Sequence, residues 1–199
     1  ILIANRGEIA CRIIASCRKL GIPSVAVYSS ADRNALHTRI ADEAFEIGEA
    51  EASLSYLNQD SLLKVAVEQG VDAIHPGYGF LSENSDFVQK CEQLGITFIG
   101  PTAYVIEQMG NKIKARQIAI EAGVPVIPGS EGKVIDQKAE EIAKTIGFPV
   151  MVKASGGGGG IGMSVAEDTA ELSEALRKYR SLAQSSFGSA EVYLEKYLP

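Results

Sequence analysis

Five times along the chain a helical pattern gives way to a glycine, an apolar residue and then a β-rich stretch. The sites are Leu20-Gly21-Ile22-Pro23, Gln69-Gly70-Val71-Asp72, Leu94-Gly95-Ile96-Thr97, Ala122-Gly123-Val124-Pro125 and Ile146-Gly147-Phe148-Pro149. Glycine at that place supplies a left-handed helix cap, and the apolar residue behind it can fold back onto the helix just ended. The stretches that follow, 25–28, 73–75, 97–99, 125–127 and 149–153, read as strands. Helix, glycine, strand, repeated in one chain, predicts an α/β fold with a largely parallel sheet.

The remaining elements follow from periodicity. Ile1-Leu2-Ile3-Ala4 is a short, fully apolar run of the kind a central parallel strand needs. A helix is expected over 8–20, with Ile9, Ile13 and Leu20 on one stripe and Cys17 beside them. Phe87, Val88, Cys91 and Leu94 repeat the spacing behind a cap at Asn84 or Ser85, and Asp168-Thr169-Ala170-Glu171 opens a helix carrying Leu172, Leu176, Tyr179 and Ala183. Two units are predicted. A doubly wound one covers 1–109, a helical linker covers 110–124, and a smaller unit organised around glycines covers 125–199.

Composition excludes several classes. The 199 residues are 46% hydrophobic and 22% charged, which is globular rather than disordered. Acidic residues outnumber basic ones 25 to 19, a formal charge of −6, so no chain-wide basic field invites nucleic acid. No apolar run reaches the roughly 18–20 residues of a membrane span. With neither a secretory signal nor an Arg-rich transit segment in view, a cytoplasmic location is expected. The chain opens at Ile1 without Met and ends on a strand still in progress, so it is expected to be a piece of something longer. Cys11, Cys17 and Cys91 have no metal-ligand spacing, and Cys11 and Cys17 lie about 120° apart around one helix, so they read as reduced thiols. With only two histidines, a protein-built transition-metal site is not expected.

Ser155 is followed by Gly156 through Gly160 and then Ile161-Gly162-Met163, six glycines in seven positions. That density spends backbone entropy, and close approach of N–H groups to phosphates is the usual return. A dinucleotide fingerprint would open a helix, whereas Met163-Ser164-Val165-Ala166 reads as a strand; a Walker loop would need Lys-Ser or Lys-Thr where Met163-Ser164 stands. The loop therefore joins two strands. Before it, alternation in Val150-Met151-Val152-Lys153 puts Lys153 on the face opposite the valines, either as a cation for phosphates or as a strand-end lysine reaching water. Asn5-Arg6-Gly7-Glu8 follows the first strand at the carboxyl edge where open α/β sheets place ligands, unless Arg6 and Glu8 simply pair at the helix start. The turn-rich, aromatic segment from His75 to Asn84 follows another strand at such an edge. His75 reads more readily as a hydrogen-bonded structural histidine, and His37 carries no functional expectation.

Ile3 through Ala10, His75 through Asn84, Phe98-Ile99-Gly100-Pro101, Met109-Gly110-Asn111-Lys112, Lys153 through Met163 and Glu195-Lys196-Tyr197-Leu198 occur in order. Together they resemble the biotin carboxylases, ATP-grasp ligases of biotin-dependent carboxylases, over the whole 199 residues. The resemblance implies a Rossmann-like parallel-sheet domain followed by a small α+β ATP-grasp lid. It also implies Mg-ATP, bicarbonate activated as carboxyphosphate, and carboxylation of a ureido nitrogen of biotin on a carrier protein or domain. A carboxyltransferase component and a homo-oligomeric state are implied as partners. By motif position Lys112 and Lys153 would hold ATP phosphates, Gly159 and Gly160 would close over them beside Met163, and Glu195, Lys196, Tyr197 and Leu198 would meet the adenine edge. Tyr78 and Gly79 would face biotin.

Two departures stand out. Ile161 occupies a position where acyl-CoA and pyruvate-type members usually carry Lys or Arg and resembles the urea carboxylase branch, whereas Met109-Gly110-Asn111-Lys112 and Lys153-Ala154-Ser155 look like the acyl-CoA carboxylase type. The chain also stops at Pro199, before the family's third domain with its magnesium glutamates and catalytic base, so no catalytic or metal residue is named and turnover by this piece alone is not expected. The alternative is a naturally short, non-catalytic nucleotide-binding or interaction module. A nicotinamide-dependent oxidoreductase would need a glycine fingerprint after Ile3, which Asn5-Arg6-Gly7-Glu8 does not supply.

Overall fold

The computed structural model describes every residue except 131, 133, 135, 155–162, 188–190 and 199, and the backbone alone at 136, 137 and 183–187. The chain divides into two compact units, Ile1–Glu107 and Gln108–Pro199.

In the first unit β1 (Leu2–Ile3) leads through α1 (Gly7–Leu20) to β2 (Val25–Ser29), and the short α2 (Leu36–Ile40) leads to β3 (Glu43–Gly48). Then come α3 (Gln59–Glu68), β4 (Ala73–His75), α4 (Ser85–Gln93), β5 (Thr97–Phe98) and α5 (Ala103–Gly110), whose last residues belong to the second unit. The strands form one sheet in the order β3-β2-β1-β4-β5, every pair parallel. Successive strand residues point to opposite faces, so a central strand covered on both sides must be apolar throughout. β1 obeys this with two fully buried residues. Leu2 enters one core with Val27, Leu62, Ile74 and Phe87, and Ile3 enters the other with Ala10, Ile13, Ile14 and Cys17 of α1. Each such side chain contributes about 1.5–3 kcal/mol by leaving water.

All five glycines marked in the sequence sit at helix ends with left-handed φ: Gly21 +68°, Gly70 +58°, Gly95 +71°, Gly123 +71° and Gly147 +83°. Behind four of them the apolar residue's N–H reaches back to the helix, Ile22 to Cys17 at 2.9 Å, Val71 to Ala66 at 3.0 Å, Ile96 to Cys91 at 2.9 Å and Val124 to Ala119 at 2.9 Å. The caps expected at helix starts are present too: Asn84 accepts from the Phe87 N–H, and Asp168 from those of Ala170 and Glu171. Cys17 and Cys91 are buried thiols, and Cys11 is half-buried.

The second unit contains α6 (Lys112–Glu121), α7 (Asp136–Ile146), β6 (Val150–Ala154), β7 (Met163–Ala166), α8 (Thr169–Phe187) and β8 (Val192–Lys196). Its sheet is antiparallel, in the order β7-β6-β8. Val150, Val152, Val192 and Leu194 are fully buried against Ala139 and Ala143 of α7 and Leu172 and Leu176 of α8. The α/β fold class read from the sequence, a parallel-sheet unit followed by a small α+β unit, is the one found.

Two stretches differ from expectation. Residues 125–127 form no strand; the chain makes its sheet-like contacts slightly later, where Pro128 O accepts from the Lys196 N–H at 2.7 Å and Ser130 N–H donates to Leu194 O at 2.8 Å. Pro125 and Pro128 have no N–H to complete a ladder, so only an isolated bridge forms, at Gly129 and Glu195. The strand β3 was not anticipated, because Glu43 and Glu46 break its apolar pattern. It is the sheet's edge, where charged residues are tolerated.

Two glycines separate conformational strain from collision. At Gly95 an added Cβ meets nothing within 4 Å, so Gly95→Ala should cost only the left-handed penalty, about 1–2 kcal/mol. At Gly48, φ +143°, the Cβ would run into the Leu54 carbonyl oxygen, and Gly48→Ala should lose at least about twice as much in denaturant unfolding. Equal losses would contradict this assignment.

Candidate functional site

In the second unit the end of β6, the end of β8 and one face of α6 converge. Alternation along β6 buries Val150, Val152 and Ala154 and turns Met151 and Lys153 to the other side. Lys153 does not run out to water. Its ammonium donates to a Glu195 carboxylate oxygen, with the lysine side chain 25% and the glutamate 13% exposed. The other Glu195 oxygen lies 3.9 Å from Nη1 of Arg116, a side chain only 12% exposed. Arg116 stands one turn after Lys112 on α6, so the two share a face. Asn111 starts that helix by accepting from the N–H groups of Ile113 and Lys114, both at 3.0 Å. Burial, and then the charge of Lys153, pull the Lys112 pKa below its ordinary value. Gly129 lets the chain pass close by: a Cβ there would lie 3.2 Å from Glu195 Cγ, 3.3 Å from Arg116 Cζ and 2.6 Å from Leu194 O.

Of the residues read from the sequence, Lys112, Lys153 and Glu195 share this place, and Met163 pairs with Lys153 across the β6–β7 ladder. Lys196 is turned elsewhere, its ammonium donating to Gly147 O at 2.9 Å and Phe148 O at 2.8 Å. Tyr197 follows β8 with its N–H on Pro149 O at 3.1 Å, and Leu198 is exposed. Gly159 and Gly160, with the rest of the glycine run, lie outside the described residues. Arg116 and Gly129 were not singled out in the sequence. The spacing of Arg116 from Lys112 was the available signal for it.

Tyr78 and Gly79 belong to the first unit, at the carboxyl ends of β1 and β4, where the strand order reverses and open α/β sheets form a crevice. Buried Asn5 ties the two ends together. Its amide donates to Pro76 O at 2.7 Å and Tyr78 O at 2.8 Å, and its Oδ1 accepts from the Arg6 N–H. The loop turns through left-handed Gly77, Gly79 and Phe80, leaving Tyr78 61% exposed with its hydroxyl donating to Glu8. That hydrogen bond raises the Tyr78 pKa above its ordinary value. His75 is structural: its Nδ1 accepts from the Gly77 N–H at 3.0 Å, and burial lowers its pKa.

Arg6 and Glu8 do not pair with each other. Arg6 reaches Asp32 at 3.1 Å and lies over the rings of Tyr56 and Phe80, which stack 5.1 Å apart. One oxygen of Asp32 takes three donors, Arg6, Ser29 Oγ at 3.1 Å and the hydroxyl of buried Tyr56 at 2.8 Å. Burial pushes the Tyr56 pKa up to about 12.

The family model described as biotin carboxylase, N-terminal domain, matches residues 1–106. This chain belongs to the biotin carboxylase family. Residues 111–199 match the model described as carbamoyl-phosphate synthase L chain, ATP binding domain. A pyruvate carboxylase subunit from Methanothermobacter thermautotrophicus is 55% identical over 199 residues, all of this chain and 40% of that protein. Biotin carboxylase 1 of Bacillus subtilis is 51% identical over 199 residues, all of this chain and 44% of that protein. Among solved structures, a biotin carboxylase–β,γ-ATP complex from Campylobacter jejuni superposes with a TM-score of 0.95 at 46% identity, covering 100% of this chain and 45% of that one. The biotin carboxylase domain dimer of Hydrogenobacter thermophilus 2-oxoglutarate carboxylase, with MgADP, ADP and bicarbonate, gives 0.93 at 46% identity, covering 99% and 44%. The chain thus spans less than half the length of these relatives.

In this biotin carboxylase chain the basic cluster of Lys112, Arg116 and Lys153 suits a polyphosphate, and the buried Arg116 Nε has no hydrogen-bond partner among the described residues. Among the described residues no three His, Cys, Asp or Glu side chains converge as a metal site. Nor is any helix among them long and apolar enough to cross a membrane.

Asp32 supplies a pH test of the sheet edge. Burial raises its pKa, but the hydrogen bonds from Tyr56, Arg6 and Ser29 outweigh that and leave it below the ordinary carboxylate value. A depressed folded-state pKa stabilises above the unfolded-state value, and that contribution fades as pH falls through the folded-state value. Asp32→Asn should therefore cost about 1–3 kcal/mol at pH 7, and its deficit against the parent should shrink below about pH 4. A deficit unchanged from pH 7 to pH 3 would contradict the charged triple acceptor.

Proposed function

We propose that this chain is the amino-terminal part of an ATP-dependent biotin carboxylase, in which 1–109 is the Rossmann-like domain, 110–124 a helical connection and 125–199 the ATP-grasp lid. In that enzyme bicarbonate attacks the γ-phosphorus of Mg-ATP and ADP leaves; the carboxyphosphate formed passes its carboxyl group to a ureido nitrogen of biotin on a carrier protein or domain, releasing inorganic phosphate, which carries away the nitrogen's proton. A carboxyltransferase uses the carboxybiotin, and the enzyme works as a homo-oligomer. The relatives support this. They include biotin carboxylases and one component of a pyruvate carboxylase, and a solved neighbour is a domain dimer with MgADP and bicarbonate.

The observation that carries the reading is the pairing of Lys153 with Glu195 beside Lys112. Phosphoryl transfer needs little covalent help and much charge neutralisation and positioning, which two ammonium groups on rigid elements supply. A phosphate between them would offset, with its negative charge, the burial and the repulsion from Lys153 that depress the Lys112 pKa. Gly159 and Gly160, outside the described residues, are assigned by their motif to the phosphates as well. Glu195 to Leu198 meet the adenine edge, and exposed Tyr78 with Gly79 faces biotin.

Calorimetric titration of Mg-ATP into the full-length protein and its Lys153→Ala variant tests this. A charge-assisted phosphate contact is worth about 1.5–3 kcal/mol, so affinity should fall about ten- to a hundredfold. Unchanged affinity would remove Lys153 from the phosphate site.

A further inference from the structure

Glu195 is not an isolated partner of Lys153. Its two oxygens are divided, one on the Lys153 ammonium and the other facing Arg116 at 3.9 Å. Both cations and the carboxylate are largely withdrawn from solvent, at 25%, 12% and 13% exposure. In such surroundings a carboxylate cannot be left without a countercharge at small cost. A lysine that serves phosphates must give up some of its hold on Glu195 when the nucleotide arrives. Something else must then neutralise the carboxylate.

We propose that Arg116 is a positioning residue for the nucleotide site: it keeps Glu195 neutralised and in place, so that Lys153 can exchange the carboxylate for a phosphate. The geometry restricts the carboxylate to this shared position. Glu195 lies on β8, paired with Met151 and bridged to Gly129, and Gly129 is so close that a Cβ would press on Glu195 Cγ and Arg116 Cζ together. Arg116 comes from α6, the helix that also carries Lys112, so helix and sheet are linked through Glu195. Arg116 Nε is buried and unpartnered among the described residues, which leaves the guanidinium with an unused donor. Without Arg116, Glu195 would depend on Lys153 alone, and the nucleotide would have to strip the lysine from a buried carboxylate.

This inference rests on the reading of Lys153 as a phosphate ligand, and a double-mutant cycle separates the two. Mg-ATP affinity is measured by calorimetry in the full-length protein for Lys153→Ala, Arg116→Met, Glu195→Gln and the Arg116→Met/Glu195→Gln pair. Arg116→Lys serves as the charge-retaining control, and thermal unfolding checks that each variant is folded. Arg116→Met should weaken Mg-ATP about tenfold in the parent and less than about twofold in the Glu195→Gln background, where no carboxylate competes. Arg116→Lys should recover most of the loss, and it carries the comparison if Arg116→Met fails to fold. An equal loss in both backgrounds, or no loss in the parent, overturns the role given to Arg116. Lys153→Ala without effect overturns the underlying reading instead.

Discussion

Backbone reversal at helix ends governs how this chain folds. In the first unit α1, α3 and α4 each return to the parallel sheet through a glycine in the left-handed region followed by an apolar residue whose N–H reaches back into the helix, while the short α2 ends at Ala41 in extended backbone. An L-residue with a side chain is disfavoured there by about 1–2 kcal/mol, so the glycines determine where helices stop and strands begin. With those stops in place the strand order β3-β2-β1-β4-β5 follows, and with it the reversal point between β1 and β4. Asn5 joins the two strand ends at that point, which holds the Tyr78 loop in position. In the second unit Gly123 and Gly147 also end helices in the left-handed region, and Gly147 stands just before β6, the strand that carries Lys153.

Charge organisation at the second unit's site follows from which side of a strand each residue occupies. β6 buries its valines and sends Lys153 to the opposite side, while β8, antiparallel beside it, brings Glu195 within reach. α6 adds Lys112 and Arg116 one turn apart. Cations held near one another out of water repel, and the Lys112 pKa is lowered first by burial and then by the charge of Lys153. An arrangement of this kind is stabilised by an anion. Glu195 serves that purpose from within the chain, and in the proposed function a polyphosphate takes it over in part.

Much of this was legible in the sequence because it rests on local rules. The glycine stops, the Asn84 and Asp168 caps and the facing of Lys153 all follow from periodicity or from neighbours a few residues away. What was not legible depends on distant partners or on edges. Arg6 chooses Asp32, 26 residues on, over nearby Glu8, because a buried tyrosine and a serine converge on the same oxygen. β3 escapes notice because an edge strand tolerates glutamates, and 125–127 mislead because prolines imitate the extended backbone without its hydrogen bonds. Glu195 was named from its motif, but its division between Lys153 and Arg116 spans residues 116 to 195 and becomes visible only once the sheet and helix are assembled.

The most direct measurement is a crystal structure of the full-length protein with magnesium and a non-hydrolysable ATP analogue. Phosphate oxygens should lie within hydrogen-bonding distance of the Lys112 and Lys153 ammonium groups, with the adenine against 195–198 and Glu195 still facing Arg116. A nucleotide bound elsewhere, with Lys153 still closed on Glu195, would contradict the assignment of this cluster as the phosphate site.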